Sequence, residues 1–274
     1  MNGPAGDERR SGLGILAHLQ SDYVETALYF TRLGAIFSCL AFLLSPFFST
    51  VPPANLDLWY HRAMLASAAS WALRLHQRVK TAQISLSLAT VQTLVAEDAF
   101  HYLFYSILFA LFSPVSVALM PVFLYSLLHT ARFTQKLLEA TAVQRNAATG
   151  DGPDVNVSSP APSFLRSSLQ QVTTKIQTNT DPILRWIALN EIMLFVVCVV
   201  MSLSGSRAVF LPLIYYHFLK LRYASRRNPY SRMTFSELRL ILQTLANHRL
   251  TPRLVSRMIY GLINVVCRLS PSAL

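Results

Sequence analysis

Uncharged apolar runs alternate along the chain with polar stretches of helical spacing, and the lengths of the runs predict different kinds of membrane segment. The first, Leu33 to Val51 (LGAIFSCLAFLLSPFFSTV), lies between Arg32 and Pro52-Pro53. A hydrocarbon core of roughly 30 Å takes about 20 residues of helix to cross, so this run predicts a transmembrane helix. It follows a polar stretch, Met1 to Arg10, and is longer than the apolar core of a secretory signal, so it is expected to remain as an anchor.

The second run, Ala99 to Ala131, has no Lys, Arg, Asp or Glu. As one straight helix it would reach about 50 Å and overshoot the bilayer. Ser113-Pro114 and Pro121 are expected to interrupt it, because proline removes a helix hydrogen bond and clashes with the preceding turn. It therefore either tilts strongly or folds back as a hairpin whose legs, about 22 and 27 Å long, fall short of a full crossing. The third run begins at Asp181-Pro182, read as an N-cap with proline at the first helical position, and continues to Gly205. Its length suffices to span. The fourth, Ala208 to Leu219 with Pro212 inside, is too short to cross alone.

The polar stretches carry their own periodicities. His61 to Gln77 is rich in small residues suited to close helix packing, and Ile84, Leu88, Val91 and Val95 recur at helical spacing ahead of Glu97 and Asp98. From Ala147 to Ser163 the composition shifts to Gly, Pro, Ser, Asp and Asn, which predicts a flexible linker. In the tail, Thr234-Phe235-Ser236-Glu237 reads as a capping box ahead of a helix with Phe235, Leu238, Ile241, Leu242 and Leu245 on one face. A second helix starts at Thr251-Pro252. It gathers Arg253, Ser256, Arg257, Tyr260, Asn264 and Arg268 on one arc opposite a wide apolar face from Leu254 to Leu269. Such a helix suits the headgroup region, although packing on the protein's own helices is the alternative.

Composition strengthens the membrane reading: 53% of the 274 residues are hydrophobic and only 14% charged. The formal charge of +11 sits beside the apolar runs, with ten of the 24 basic residues from Lys220 onward, which places the carboxyl-terminal tail in the cytosol. The amino terminus, with only Arg9 and Arg10, is the best lumenal candidate. A hairpin at Ala99 to Ala131 puts the connections Arg62 to Lys80 and Arg132 to Arg185 together on the cytosolic side, whereas a single pass makes the latter lumenal. Asn156-Val157-Ser158 is a glycosylation acceptor only in the lumenal case. Cys39, Cys198 and Cys267 form no disulfide framework, and Cys267 is a palmitoylation candidate.

The motifs of phosphate-binding loops, zinc proteases and nucleophile elbows are absent, and no catalytic residue, cofactor or metal is assigned. Glu97, Asp98 and His101 share one helix turn but fit charge compensation at a helix start better than metal binding. Glu191 is the intramembrane polar residue, costly if ionised. It either pairs with Arg185 or with a basic side chain of a neighbouring helix, or lines a transport path with His129 or His217. His129, His217, Tyr102, Tyr105, Tyr125, Tyr215 and Tyr216 are expected at the membrane interface. Lys220, Arg222, Arg226, Arg227 and Arg232, with Arg253, Arg257 and Arg268, are the candidates for anionic lipid or an acidic partner. Nucleic acid is not expected.

Several stretches carry a family resemblance. Pro212 to Leu242 (PLIYYHFLKLRYASRRNPYSRMTFSELRLIL), with Ala72 to Arg78, Ala96 to Phe109, Pro121 to Ala140 and Ile187 to Leu194, resembles the transmembrane protein 33 family, also called the Krüppel homologue 2 family and related to fungal pore-membrane proteins. It covers nearly everything from the first apolar run to about Leu242. The resemblance implies a protein of the endoplasmic reticulum and nuclear envelope, reticulon-type partners, tubule architecture, nucleoporins in fungal relatives, and a secondary link to stress signalling. It implies no catalytic residues.

The sequence thus predicts an all-α, multi-pass helical membrane protein with helical hairpins and cytosolic amphipathic helices. The expected parts are a polar segment at 1–28, a membrane region at 29–144, a flexible linker at 145–180, a second membrane region at 181–221 and a basic tail at 222–274. The expected function is organisation of membrane shape on a bilayer with anionic headgroups, self-association being left open. A transporter using Glu191 and an adaptor recruiting partners through Lys220 to Arg232 are the alternatives.

Overall fold

A computed structural model describes residues 23–48, 53–81, 94–95, 97–112, 114–148, 163–204, 209–225, 229–249 and 251–269. Among these the chain forms nine α-helices, one 3-10 turn at Ser116–Ala118 and no strand. The helices are α1 (Tyr23–Phe48), α2 (Pro53–Thr81), α3 (Asp98–Leu111), α4 (Leu119–Ala148), α5 (Ser163–Thr178), α6 (Thr180–Leu203), α7 (Leu211–Ala224), α8 (Tyr230–Ala246) and α9 (Arg253–Leu269). Three segments, Tyr23–Phe47, Ser116–Ala142 and Thr180–Leu203, are long and apolar enough to cross a membrane, which agrees with the multi-pass all-α expectation.

Local boundaries follow chemistry that the run lengths missed. Arg32 does not end α1, which begins further back at Tyr23 with Glu25 in its first turn, where a carboxylate complements the helix dipole. The long second run does break near Pro114: Phe112 and Val115 are extended. Pro121, expected to interrupt, instead sits in the first turn of α4, where its missing N–H costs nothing. Part of the chain expected as linker at 145–180 is helical. Residues up to Ala148 continue α4, and Ser163–Thr178 form α5 because Phe164, Leu169, Val172 and Ile176 recur at helical spacing. Residues 149–162, including Asn156, lie outside the described residues, as do Ile84, Leu88 and Val91. The expected capping box at Thr234 is interior to α8, which already starts at Tyr230 after Pro229; Thr234 is buried and Ser236 donates to the Met233 carbonyl.

The chain forms two compact units, residues 1–73 with 122–181 and residues 74–121 with 182–274. In the first, α1 and α2 run antiparallel: Phe37 meets Trp59 at 5.5 Å between ring centroids, and the Ser70 hydroxyl donates to Thr31 Oγ1 at 2.8 Å. The small residues of α2 do what their size allows, with Ala63, Ser67 and Ser70 buried on one stripe. The start of α1 lies against α4 beyond its apolar run, the Tyr29 ring tilted against Phe133 at 4.9 Å and its hydroxyl lying 3.3 Å from Thr134. Arg132 donates to Gln177 and Arg166 to the Leu138 carbonyl, which lays α5 antiparallel to α4. If α1 and α4 both cross the bilayer, the chain before α1 and the chain after α4 share one side. A lumenal amino terminus and a cytosolic connection from Arg132 to Arg185 are therefore incompatible with this packing.

In the second unit the chain doubles back on α3, so that the Tyr105 hydroxyl donates to the Ala118 carbonyl at 2.8 Å. α6 and α7 form an antiparallel pair, with Phe195 near Tyr216 and Ser202 donating to the Val209 carbonyl. Between α3 and α7 lies a buried aromatic layer of Tyr102, Tyr105, Phe109, Tyr215 and Phe218. Tyr102, Tyr105 and Tyr215, and in the first unit Tyr125, are buried inside the protein rather than facing outward. Aromatic rings gain more by packing edge to face on one another than by fringing a short helix. Outward from both units point large apolar side chains, among them Phe30, Phe37 and Phe47 of α1 and Val196, Val200 and Leu203 of α6. Contiguous apolar exposure of this kind is what lipid covers.

Candidate functional site: a buried ionic cluster beside an exposed amphipathic pair

Glu191 sits halfway along α6 and is 1% exposed. Both its carboxylate oxygens are engaged: Oε1 accepts from the Tyr102 hydroxyl at 2.5 Å, and Oε2 accepts from Arg222 Nε at 3.3 Å. Its backbone carbonyl accepts from the Tyr215 hydroxyl at 2.9 Å. Arg222, on the last turn of α7, is also 1% exposed, and its guanidinium lies 4.7 Å over the Tyr102 ring. From there Nη1 donates to Asp98 Oδ1 at 3.0 Å, and the Ser225 hydroxyl donates to the same oxygen at 3.1 Å. One arginine thus ties together the starts of α3 and the middle of α6 at the end of α7. Removing charge from water is tolerated in such a place only with near-complete pairing.

Of the partners expected for Glu191, the structure pairs it with a basic side chain of a neighbouring helix, Arg222, rather than with Arg185. Arg185 lies 3.7 Å from Glu237 on the half-exposed rim. Of Glu97, Asp98 and His101, only the last two approach each other, His101 Nδ1 lying 3.9 Å from Asp98 Oδ1. Asp98 turns to Arg222, Glu97 lies 3.8 Å from Arg78, and His101 Nε2 bonds the Val95 carbonyl at 2.7 Å. Among the described residues no group of three or more His, Cys, Asp or Glu is placed to hold a metal.

The basic candidates separate into different environments. Arg222 is a correction: it is buried in the cluster, because its two carboxylate partners lie inward and its aliphatic stem packs among aromatic rings. Arg232 is exposed, but its guanidinium donates to the carbonyls of Tyr223, Ala224 and Ser225, capping the end of α7. Lys220, Arg253 and Arg257 are exposed. Arg226, Arg227 and the side chain of Arg268 lie outside the described residues.

The tail helices α8 and α9 form a pair closed by Thr251 donating to the Leu245 carbonyl and Tyr260 donating to Asn247. Tyr223 and Phe235 join α7 to α8 at 5.6 Å. The wide apolar face of α9 is split. Ile263 is buried against α8, while Leu254 and Met258 are 72% and 68% exposed. On α8, Leu240, Ile241 and Leu245 are exposed as well. At 100° per residue, Arg253 and Arg257 fall on the arc next to Leu254 and Met258, so cations border the exposed apolar strip.

Sequence reasoning missed Asp98 and Ser225 as partners of Arg222. The only signal available was the presence of one acid within a spanning helix, which requires a base at similar depth in some other helix.

A family profile described as Transmembrane protein 33/Nucleoporin POM33 matches residues 8–272, so the likeness runs through the linker and beyond Leu242 into the last helix. Transmembrane protein 33 of Mus musculus is 37% identical over 271 residues, covering 99% of this chain and 97% of that protein. Transmembrane protein 33 homolog of Caenorhabditis elegans is 35% identical over 257 residues, covering 94% and 85%. Krueppel homolog 2 of Drosophila melanogaster is 33% identical over 257 residues, covering 94% and 82%. No solved structure matches.

Proposed function

We propose a function from one premise: this chain belongs to the Transmembrane protein 33/Nucleoporin POM33 family of membrane proteins. We read it as a non-enzymatic protein of the endoplasmic reticulum and nuclear envelope that organises membrane shape, with reticulon-type proteins or nucleoporins as partners. The observation that carries this reading is the exposed apolar strip of α8 and α9 bordered by Arg253 and Arg257. Apolar side chains flanked by arginines settle into the headgroup layer, each nearby cation adding about 1 kcal/mol against anionic lipid.

The lengths of the helices support the same mechanism. α3 and α7 have 14 residues each, about 21 Å, too short to cross. Inserted from one leaflet, short legs of this kind add area to that leaflet and bend the bilayer. Charge favours the cytosolic side for the connection after α4, with Arg132, Lys136, Arg145, Arg166, Lys175 and Arg185 outnumbering Arg62, Arg74, Arg78 and Lys80 between the first two spans. Because the start of α1 packs beside that end of α4, the amino terminus belongs on the cytosolic side too. In this arrangement Asn156 stays unglycosylated in cells; a glycosidase-sensitive gel shift of the unaltered chain would reverse the topology.

The decisive measurement is flotation of the purified protein's membrane-binding tail surface against liposomes of graded diameter, using full-length protein reconstituted with its tail outward. Wild type is expected to tether small anionic liposomes better than large ones, and Arg253→Glu with Arg257→Glu to abolish the difference. Equal tethering by both proteins at all diameters removes the curvature mechanism.

A further inference from the structure

The first turn of α9 carries basic residues where a helix start favours acids. Arg253 is its first residue and Arg257 follows one turn on, both exposed, and no acidic residue lies in that first turn. Arg249, just before α9, is exposed as well. From residue 222 to the end of the sequence Glu237 is the one acid, and it lies 3.7 Å from Arg185. Arg249, Arg253 and Arg257 form no ion pair among the described residues.

Between these cations stands Ser256, three residues after Arg253 and one before Arg257. It is half-buried, and its hydroxyl has no hydrogen-bond partner among the described residues. That sets it apart from Thr173, Thr178 and Thr244, each of which donates to a carbonyl one turn back in its own helix. An arginine three positions before a hydroxyl residue is the charge pattern that basophilic protein kinases select. A kinase also needs its substrate extended, and the start of α9 gives up little to become so. Arg253, Leu254, Val255, Arg257 and Met258 are exposed, and the buried Ile263 lies two turns beyond Ser256.

We propose that Ser256 is a phosphorylation site through which a basophilic, ATP-dependent protein kinase switches the tail's hold on anionic membrane. The γ-phosphoryl group of ATP passes to Ser256 Oγ: the O–P bond forms, the bond to the ADP oxygen breaks, and the hydroxyl proton goes to the kinase's base. The product carries about two negative charges beside Arg253 and Arg257, at a helix start where the dipole favours an anion. α9 keeps its fold, while its apolar strip loses the cations that border it. The switch rests on the membrane reading of the tail, whereas the modification itself does not.

Full-length protein, reconstituted with its tail outward, is incubated with ATP and each of a panel of purified basophilic kinases, and the sites are mapped by tandem mass spectrometry. Phosphate is expected on Ser256 in wild type, and about tenfold less in Arg253→Gln. No phosphate on Ser256 with any kinase overturns the site, and undiminished incorporation in Arg253→Gln overturns its recognition. Tethering of small anionic liposomes is then compared before and after treatment. Phosphorylated wild type is expected to tether about tenfold or more weakly, since two cations near the surface are neutralised. Treated Ser256→Ala keeps its tethering, and untreated Ser256→Asp loses part of it. Unchanged tethering by phosphorylated wild type overturns the switch, and so does an equal fall in treated Ser256→Ala. Untreated wild type that does not tether at all refutes the membrane reading and the switch with it, while the mapped phosphate decides the site independently.

Discussion

Two arginines in the second unit, Arg222 and Arg257, lie 35 positions apart in the basic carboxyl-terminal stretch, yet they meet opposite environments. Arg222 is enclosed by Glu191, Asp98 and the Tyr102 ring, whereas Arg257 is exposed at the border of an apolar strip. The first holds helices together and cannot be offered to lipid. The second touches little and is available. Positive charge near a membrane segment is therefore not one feature but two, told apart by whether acids converge on it.

The contrast is broken most severely from the buried side. Arg222→Met leaves Glu191 and Asp98 without their cation, and a loss of about 3–5 kcal/mol is expected, seen as a large fall in the midpoint of thermal unfolding in detergent. Adding Glu191→Leu to Arg222→Met should recover a good part of that loss, because replacing an ion pair by apolar side chains is often close to neutral. If the double variant is as unstable as the sum of its parts, the pair stabilises more than it costs and the cluster has a role beyond packing. Tyr105→Phe removes the hydroxyl that holds Ala118 to α3 and is expected to cost about 1 kcal/mol in the same assay. Arg253→Glu with Arg257→Glu lies at the other end of the scale. On exposed positions it should change stability by less than about 0.5 kcal/mol per site while membrane tethering is lost. A stability loss comparable to that of Arg222→Met would show the tail to be packed rather than available.

The sequence carried the class of the fold further than its details. Apolar runs near 20 residues need no tertiary information to declare spanning helices, since each satisfies its own backbone hydrogen bonds in lipid. The break near Pro114 was legible for the same local reason. The start of α1 was not, because Arg32 looks like a helix boundary until the fold buries it. Likewise α5 was hidden by the low-complexity composition on its amino-terminal side, although its apolar positions were present at helical spacing. For the site, Glu191 stood out as an acid inside a span, and pairing with a neighbouring helix was anticipated in kind but not in partner.

What the sequence determined by itself, then, is what depends on neighbours along the chain: segment lengths, helical periodicity, the charge bias and the family. What only the tertiary structure decided depends on residues far apart in number. Arg222 is 124 positions from Asp98 and 31 from Glu191, and Tyr29 is 105 from Thr134. The physical reason is that the state of an ionisable side chain beside a membrane is set by which groups approach it within a few ångströms, and helical spacing along one segment cannot supply that for groups carried on another.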